Sequence, residues 1–181
     1  WNTEERGLED FTGYLGASGP ADAPGWILPY GDSPFNGENI GEMVYMDILN
    51  RARKYVHIMT PYLIIDNEMI TALTFAAKRG VDVKIITPGR PDKKTVFAVT
   101  RSYYRELIAG GVQIYEYSPG FVHAKTFVSD GDTAVTGSIN LDYRSLYLHF
   151  ECAALMYRTP AVADIEADFQ KTLAKCRRMT L

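Results

Sequence analysis

Hydrophobic and polar positions along the chain switch between two periods, and each switch marks an element boundary. From Glu38 to Arg53, Ile40, Met43, Val44 and Ile48 fall at i, i+3, i+4 and i+8, the stripe of a helix packed on a core. Lys54 to Thr60 then reads as a strand ending in Pro61-Tyr62. Asp66 is placed to cap a helix that runs to Arg79 and stops at Gly80. The same unit recurs: Val81 to Thr87 is a β-branched strand, Thr95 to Ala109 a helix closed by Gly110-Gly111, and Val112 to Tyr117 another strand. Upstream, Gly25 to Tyr30 offers a short apolar strand, and Gly31 to Gly37 supplies turn residues and a helix start. Downstream, Leu141 to Leu148 predicts a short helix and Phe150 to Tyr157 a strand. Thr159-Pro160 then opens a last helix to about Lys175.

This alternation predicts an α/β fold, a mixed sheet sandwiched between helices, parallel at first and antiparallel where a hairpin joins it. Residues 26–181 read as a single domain. Residues 1–25 hold Gly7, Gly13, Gly16, Gly19, Pro20 and Pro24 without a sustained period, and read as an irregular linker or tail. With 181 residues, 46% hydrophobic and 23% charged, the chain can bury one sizeable core. No apolar run approaches the ~20 residues of a membrane-spanning helix, so the segment is expected to be soluble by itself. The opening WNTEERGLED has neither an initiator Met nor a signal-peptide pattern, which suggests a segment of a longer protein anchored elsewhere.

A net charge of −3 lacks the basic footprint of a nucleic-acid binder. Arg90, Lys93, Lys94, Arg101 and Arg105 form one local basic cluster, which could meet anionic head groups or simply be a solvated face. Cys152 and Cys176 lack metal-ligand spacing and read as reduced thiols.

The chemistry concentrates in VHAKTFVSDGDTAVTGSIN, Val122 to Asn140. Alternation over Val122 to Val128 puts His123, Lys125 and Phe127 on one face of a strand and Val122, Ala124, Thr126 and Val128 on the other. Asp130-Gly131 between two β-rich runs predicts a tight hairpin, because both residues tolerate positive φ. A turn centred between them would set Lys125 opposite Thr136 and His123 opposite Ser138, with Asn140 keeping that parity beyond Gly137. The missing side chain of Gly137 would let a ligand approach the backbone. Imidazole, ammonium, hydroxyl and carboxamide on one patch suit chemistry at a phosphate: histidine attacks or shuttles a proton, while the others donate to oxygens that gather charge. Taken singly, each has an ordinary reading as a surface salt bridge or turn residue.

His123, Lys125 and Asp130, followed by Gly137-Ser138 and Asn140, resemble the HKD motif of the phospholipase D superfamily. TPYLIID (60–66), RSYYREL (101–107) and GSINLDYRSLYLHFE (137–151) are similar to the second half of bacterial cardiolipin synthases. The resemblance covers about residue 26 onward. It implies a phosphatidyltransferase that moves a phosphatidyl group between phosphatidylglycerol molecules through a phosphohistidine, on the cytoplasmic face of a bacterial cell membrane. His123, Lys125 and Glu151 would be catalytic, and Lys125, Ser138 and Asn140 would bind the phosphate. Glu151 would take the Nδ1 proton of His123 and fix its tautomer. Alternatives are a phosphodiesterase or nuclease using water, and an inactive pairing module. No cofactor or metal is implied, nor nucleic acid as a partner.

Two readings go against the motif's name. Asp130 lies seven residues, roughly 20 Å of extended chain, from His123, and is expected to be structural, as is Gly137. Only one imidazole has the lysine two residues on, since His57 and His149 precede Met59 and Glu151 and read as core or surface residues. A second motif is therefore expected from a missing N-terminal half or from a homodimer mate. Tyr62, Arg101, Tyr104 and Phe121 fall in segments that the resemblance places at the substrate edge, although aromatics at such spacing are more often core.

Overall fold

In a computed structural model, which describes residues 10–14, 23–35 and 37–181, the chain folds as a single mixed sheet of eight strands with helices on both faces. Most of the predicted 1–25 tail lies outside the described residues. The elements are β1 (Trp26–Asp32), α1 (Ile40–Arg51), β2 (Tyr55–Met59), β3 (Leu63–Ile64), α2 (Asn67–Lys78), β4 (Asp82–Pro88), α3 (Lys94–Ser102), α4 (Tyr104–Ala109), β5 (Gln113–Tyr117), β6 (Thr126–Ser129), β7 (Thr133–Gly137), β8 (Leu141–Asp142), α5 (Tyr143–Tyr147), β9 (Glu151–Tyr157), α6 (Pro160–Leu173) and β10 (Cys176–Arg178). The large sheet runs β1-β9-β7-β6-β2-β4-β5-β10, and β3 pairs with β8 in a small parallel ladder. Only β2-β4 and β4-β5 are parallel within the large sheet, so the expected parallel start is confined to three neighbouring strands towards the β10 edge.

Side-chain alternation divides the core. Val56, Ile58, Val83, Ile85, Ile114, Phe127 and Val135 face α1, α2 and α4, and Phe127 stacks on Tyr45 with centroids 3.9 Å apart. On the other face, Val128, Ala134 and Met156 meet Val162 of α6, and Met59 and Ile86 meet Phe169. Burial of these side chains at roughly 1.5–3 kcal/mol each supplies most of the drive for folding.

Three expected elements differ. The helix foreseen over Thr95–Ala109 is two, α3 and α4, meeting at Tyr103. The helix foreseen over Leu141–Leu148 is shortened by β8, which leaves α5 only five residues, capped by the Asp142 carboxylate on the Ser145 N–H. The last helix stops at Leu173, and the chain adds β10 on the edge of β5. Two-residue ladders and edge strands carry too little periodicity to be read locally.

Candidate functional site

The β6–β7 hairpin closes with one residue more than expected. Ser129 pairs with Thr133 and Thr126 with Thr136 around a three-residue loop, Asp130-Gly131-Asp132. Asp130 and Gly131 take the positive φ that was foreseen, 55° and 79°. The extra residue shifts the register by one and overturns the expected pairing: Lys125 does not face Thr136, nor His123 Ser138. Residues 121–125 continue β6 without ladder partners. The alternation itself persists, since Phe127 enters the α1 side of the core while Val122 and Ala124 pack towards Phe169.

At the closed end of the hairpin, Asp130 accepts three backbone N–H groups, from Arg53 at 2.8 Å, Lys54 at 2.9 Å and Tyr55 at 3.0 Å. Burial would raise its pKa, but these donors outweigh it and hold the carboxyl below the usual range. Asp130 thus ties the turn to the start of β2, away from the imidazole.

At the open end, His123 is exposed and Lys125 is half-buried. The Lys125 Nζ donates to the His123 carbonyl at 2.8 Å and lies 3.2 Å from each ring nitrogen. Burial lowers the Lys125 pKa, against the attraction of Glu151 and Asp142. The Phe121 ring lies 5.8 Å from that of His123, and the Tyr62 ring 6.3 Å beyond Phe121, with the Tyr62 hydroxyl donating to Asp92 at 2.6 Å. Phe121 and Tyr62 therefore do stand at the site's edge. Arg101 and Tyr104 do not act as free substrate groups. Arg101 is engaged by the buried Glu116 at 2.7 Å, as is Arg177 at 3.1 Å, and the buried Tyr104 hydroxyl bonds Thr87 at 2.7 Å.

Beyond β7 the chain is held group by group. A Cβ on Gly137 would come within 2.3 Å of the Cys152 carbonyl and 2.5 Å of Ala153. Its missing side chain admits the neighbouring strand β9, not a ligand as the sequence suggested. The Ser138 N–H bonds the Cys152 carbonyl at 2.8 Å, the Tyr45 hydroxyl bonds the Ile139 carbonyl at 2.9 Å, and the Leu141 N–H bonds the Thr60 Oγ1 at 3.1 Å. Between these anchors the Asn140 Nδ2 donates to the Ser145 Oγ at 2.9 Å, while its Oδ1 is buried without a partner.

Glu151 sits on the face of Ala153 and Leu155, as its parity predicts, and its side chain is 8% exposed. Its partners are not the expected one. The Ser138 hydroxyl donates to Oε2, and the Nδ1 of His149 lies 3.4 Å from Oε1. The expected bond to His123 is not formed. His149 lies in the bend just before β9, so strand alternation does not place it, and only its nearness in sequence to Glu151 hinted at the contact. His57 is a core residue, sandwiched between Tyr55 and Phe169 with Nδ1 3.0 Å from the Glu166 carboxylate. The structure thus draws His123, Lys125, Glu151 and Ser138 towards one end of the sheet and sets Asn140 beside them through the backbone, with Asp130 at the other end. Among the described residues, no three His, Cys, Asp or Glu side chains cluster to hold a metal ion.

Comparison with known proteins gives the family and the fold. The family model described as "Cardiolipin synthase, PLD-like domain" matches residues 45–173. A cardiolipin synthase from a Geobacillus species is 40% identical over 152 residues, 84% of this chain and 30% of that protein. An uncharacterized protein of Streptococcus mutans is 61% identical over 158 residues, 87% of this chain and 34% of that protein. The chain therefore spans about a third of the length of these relatives. Among solved structures, the phospholipase D family member Nuc from Salmonella typhimurium superposes with a TM-score of 0.74 at 19% identity, covering 87% of this chain and 100% of that one.

Proposed function

The chain belongs to the cardiolipin synthase, phospholipase D-like domain family, and from that membership we propose that it is one half of a phosphatidyltransferase site acting on phosphatidylglycerol. The observation that carries the proposal is an exposed imidazole, His123, in contact with a half-buried lysine beside Glu151, in a chain 40% identical to a cardiolipin synthase.

In this reading His123 attacks phosphorus to form a phosphohistidine, or protonates the leaving glycerol oxygen when its counterpart attacks. Lys125 and Asn140 hold the non-bridging oxygens, the latter through the amide hydrogen that Ser145 does not take. Glu151 bears on the imidazole from the common face, after releasing Ser138 or His149. The second phosphatidylglycerol supplies the hydroxyl that resolves the intermediate, which splits one difficult displacement into two easier ones.

An in-line mechanism wants an imidazole on each side of phosphorus, and His123 alone has a lysine two residues on. The other half-site would come from the remaining two thirds of a parent protein like its relatives, or from a second copy. An apolar rim supports such pairing: Phe35 and Phe150 lie 5.7 Å apart, and Leu148 is exposed nearby in sequence to Glu151. Among the described residues no helix is long and apolar enough to cross a membrane, so membrane contact would be made by this surface or by the parent protein.

Transfer to water, as in a phosphodiesterase or nuclease, would use the same residues, and the net charge of −3 counts against a nucleic acid substrate. The test is to incubate the active assembly with phosphatidylglycerol vesicles and to separate the products while varying protein concentration. Cardiolipin plus glycerol, with turnover that rises with assembly, is expected. Phosphatidic acid alone would replace transfer by hydrolysis, full transfer by a strict monomer would refute the half-site, and an inert assembly would leave only a pairing role.

A further inference from the structure

Away from the phosphate patch, α1, the start of α2 and the end of α5 meet around one phenol. The Tyr147 hydroxyl lies 2.6 Å from the Glu42 Oε1 and also contacts the Asp66 Oδ2. A phenol carries one proton and an ionised carboxylate carries none, so two such contacts need a second proton, on a carboxyl group.

The surroundings decide which carboxyl holds it. Asp66 caps α2, where its Oδ1 accepts the Met69 N–H at 2.9 Å and the helix N-terminus favours negative charge. Burial opposes its ionisation, but the bonds from Tyr147, Met69 and neighbouring carboxyls keep its pKa low. Glu42 is 8% exposed within α1. Burial raises its pKa, the Asp66 charge adds to that, and the Tyr147 and Asn39 side chains only partly offset it. The remaining group acting on the pair is Glu68, and no cation stands among these leading influences. The acid is therefore Glu42, which shares its proton with the Asp66 carboxylate, while the Tyr147 O–H is directed at both carboxyl groups.

The anchored element is the five-residue α5, far below the length at which a helix holds itself. The same helix carries Ser145, buried, whose Oγ receives the Asn140 amide at 2.9 Å. We propose that Glu42 and Tyr147 are positioning residues, a proton-sharing clamp that fixes α5 and through Ser145 aims the Asn140 carboxamide. The consequence for turnover rests on the reading of Asn140 as a phosphate ligand. The sign of the pH dependence follows from the direction in which Glu42 is displaced. Its folded pKa lies above the ordinary 4.5, so the clamp is whole below that value and is lost as pH rises through the folded pKa. Two charges then crowd one phenol, and α5 loosens.

The test is a pH titration of the isotope-labelled full chain by NMR, following the Glu42 carboxyl carbon and the Asn140 side-chain amide together. Glu42 is expected to titrate above 4.5, and the Asn140 signals to move with the same midpoint. In Glu42→Gln, a neutral donor of the same shape, that movement should vanish, and in Tyr147→Phe the Asn140 signals should no longer follow Glu42. An Asn140 amide that stays still while Glu42 titrates in the wild-type chain would overturn the clamp, with no variant needed. So would unchanged movement in Glu42→Gln, or a Glu42 midpoint at its ordinary value. In the active assembly, kcat should fall on the alkaline side with the same midpoint and KM should hold, a fall that Glu42→Gln removes; an identical kcat profile in both would also overturn it. Failure to find phosphatidyl transfer would sink the functional reading while leaving the titration to judge the clamp.

Discussion

The two ends of the β6–β7 hairpin carry residues of one motif and treat their polar atoms in opposite ways. At the closed end, Asp130 gives its carboxylate to three N–H groups of the chain entering β2. At the open end, His123 is exposed, Lys125 reaches only the His123 ring and carbonyl, and the Asn140 Oδ1 is buried without a partner. A carboxylate whose bonds all go to the backbone builds architecture, whereas an exposed imidazole beside a lysine is accessible to a substrate. The aspartate of the motif is thus held by the scaffold, and in the proposed reading its imidazole and ammonium carry the chemistry.

The comparison is broken most directly by removing the open end. His123→Ala in the active assembly should reduce turnover to background, with stability held within about 0.5 kcal/mol because the side chain is exposed. Denaturant unfolding alongside the product assay checks both halves of that statement. Next in size, Lys125→Ala or Asn140→Ala should lower kcat by about 10²–10³-fold each, the usual loss when one preorganised donor is withdrawn. A loss confined to KM would instead mark them as ground-state binders.

Changes at the scaffold should register in stability and leave the turnover per folded molecule near wild type. Asp130→Ala strands three N–H groups and should cost on the order of 2 kcal/mol or more, while Asp130→Asn should cost less. Because the folded pKa of Asp130 is lowered, its contribution is present above the unfolded value near 3.9 and is lost as pH falls through the folded pKa. Acid unfolding curves of wild type and Asp130→Asn should therefore converge at low pH. If Asp130→Asn were folded and as inactive as His123→Ala, the division between the two ends would fail. Gly137→Ala should cost at least as much as Asp130→Asn, about 3 kcal/mol, because the overlap is with backbone atoms of Cys152 and Ala153 across the ladder. Calorimetry would measure it.

Local rules carried far in this protein. Alternation alone put His123 and Lys125 on the face of Phe127, and Glu151 on that of Ala153 and Leu155. The cap at Asp66, the proline at the start of α6 and the turn at Asp130-Gly131 follow from preferences that act within four residues. These are short-range effects, so the order of residues suffices to state them. What tertiary structure decided is which group each polar atom meets. The loop has three residues instead of two because Asp130 must reach the N–H groups of residues 53–55 while the Arg158 N–H takes the Asp132 carbonyl at 2.6 Å. Glu151 meets Ser138 and His149 because β9 lies against β7, and Gly137 is required by that same contact. Tyr147 finds Glu42 105 residues away and Asp66 81 residues away. Partners so distant are chosen by the packing of whole elements, which the spacing of residues along the chain does not encode.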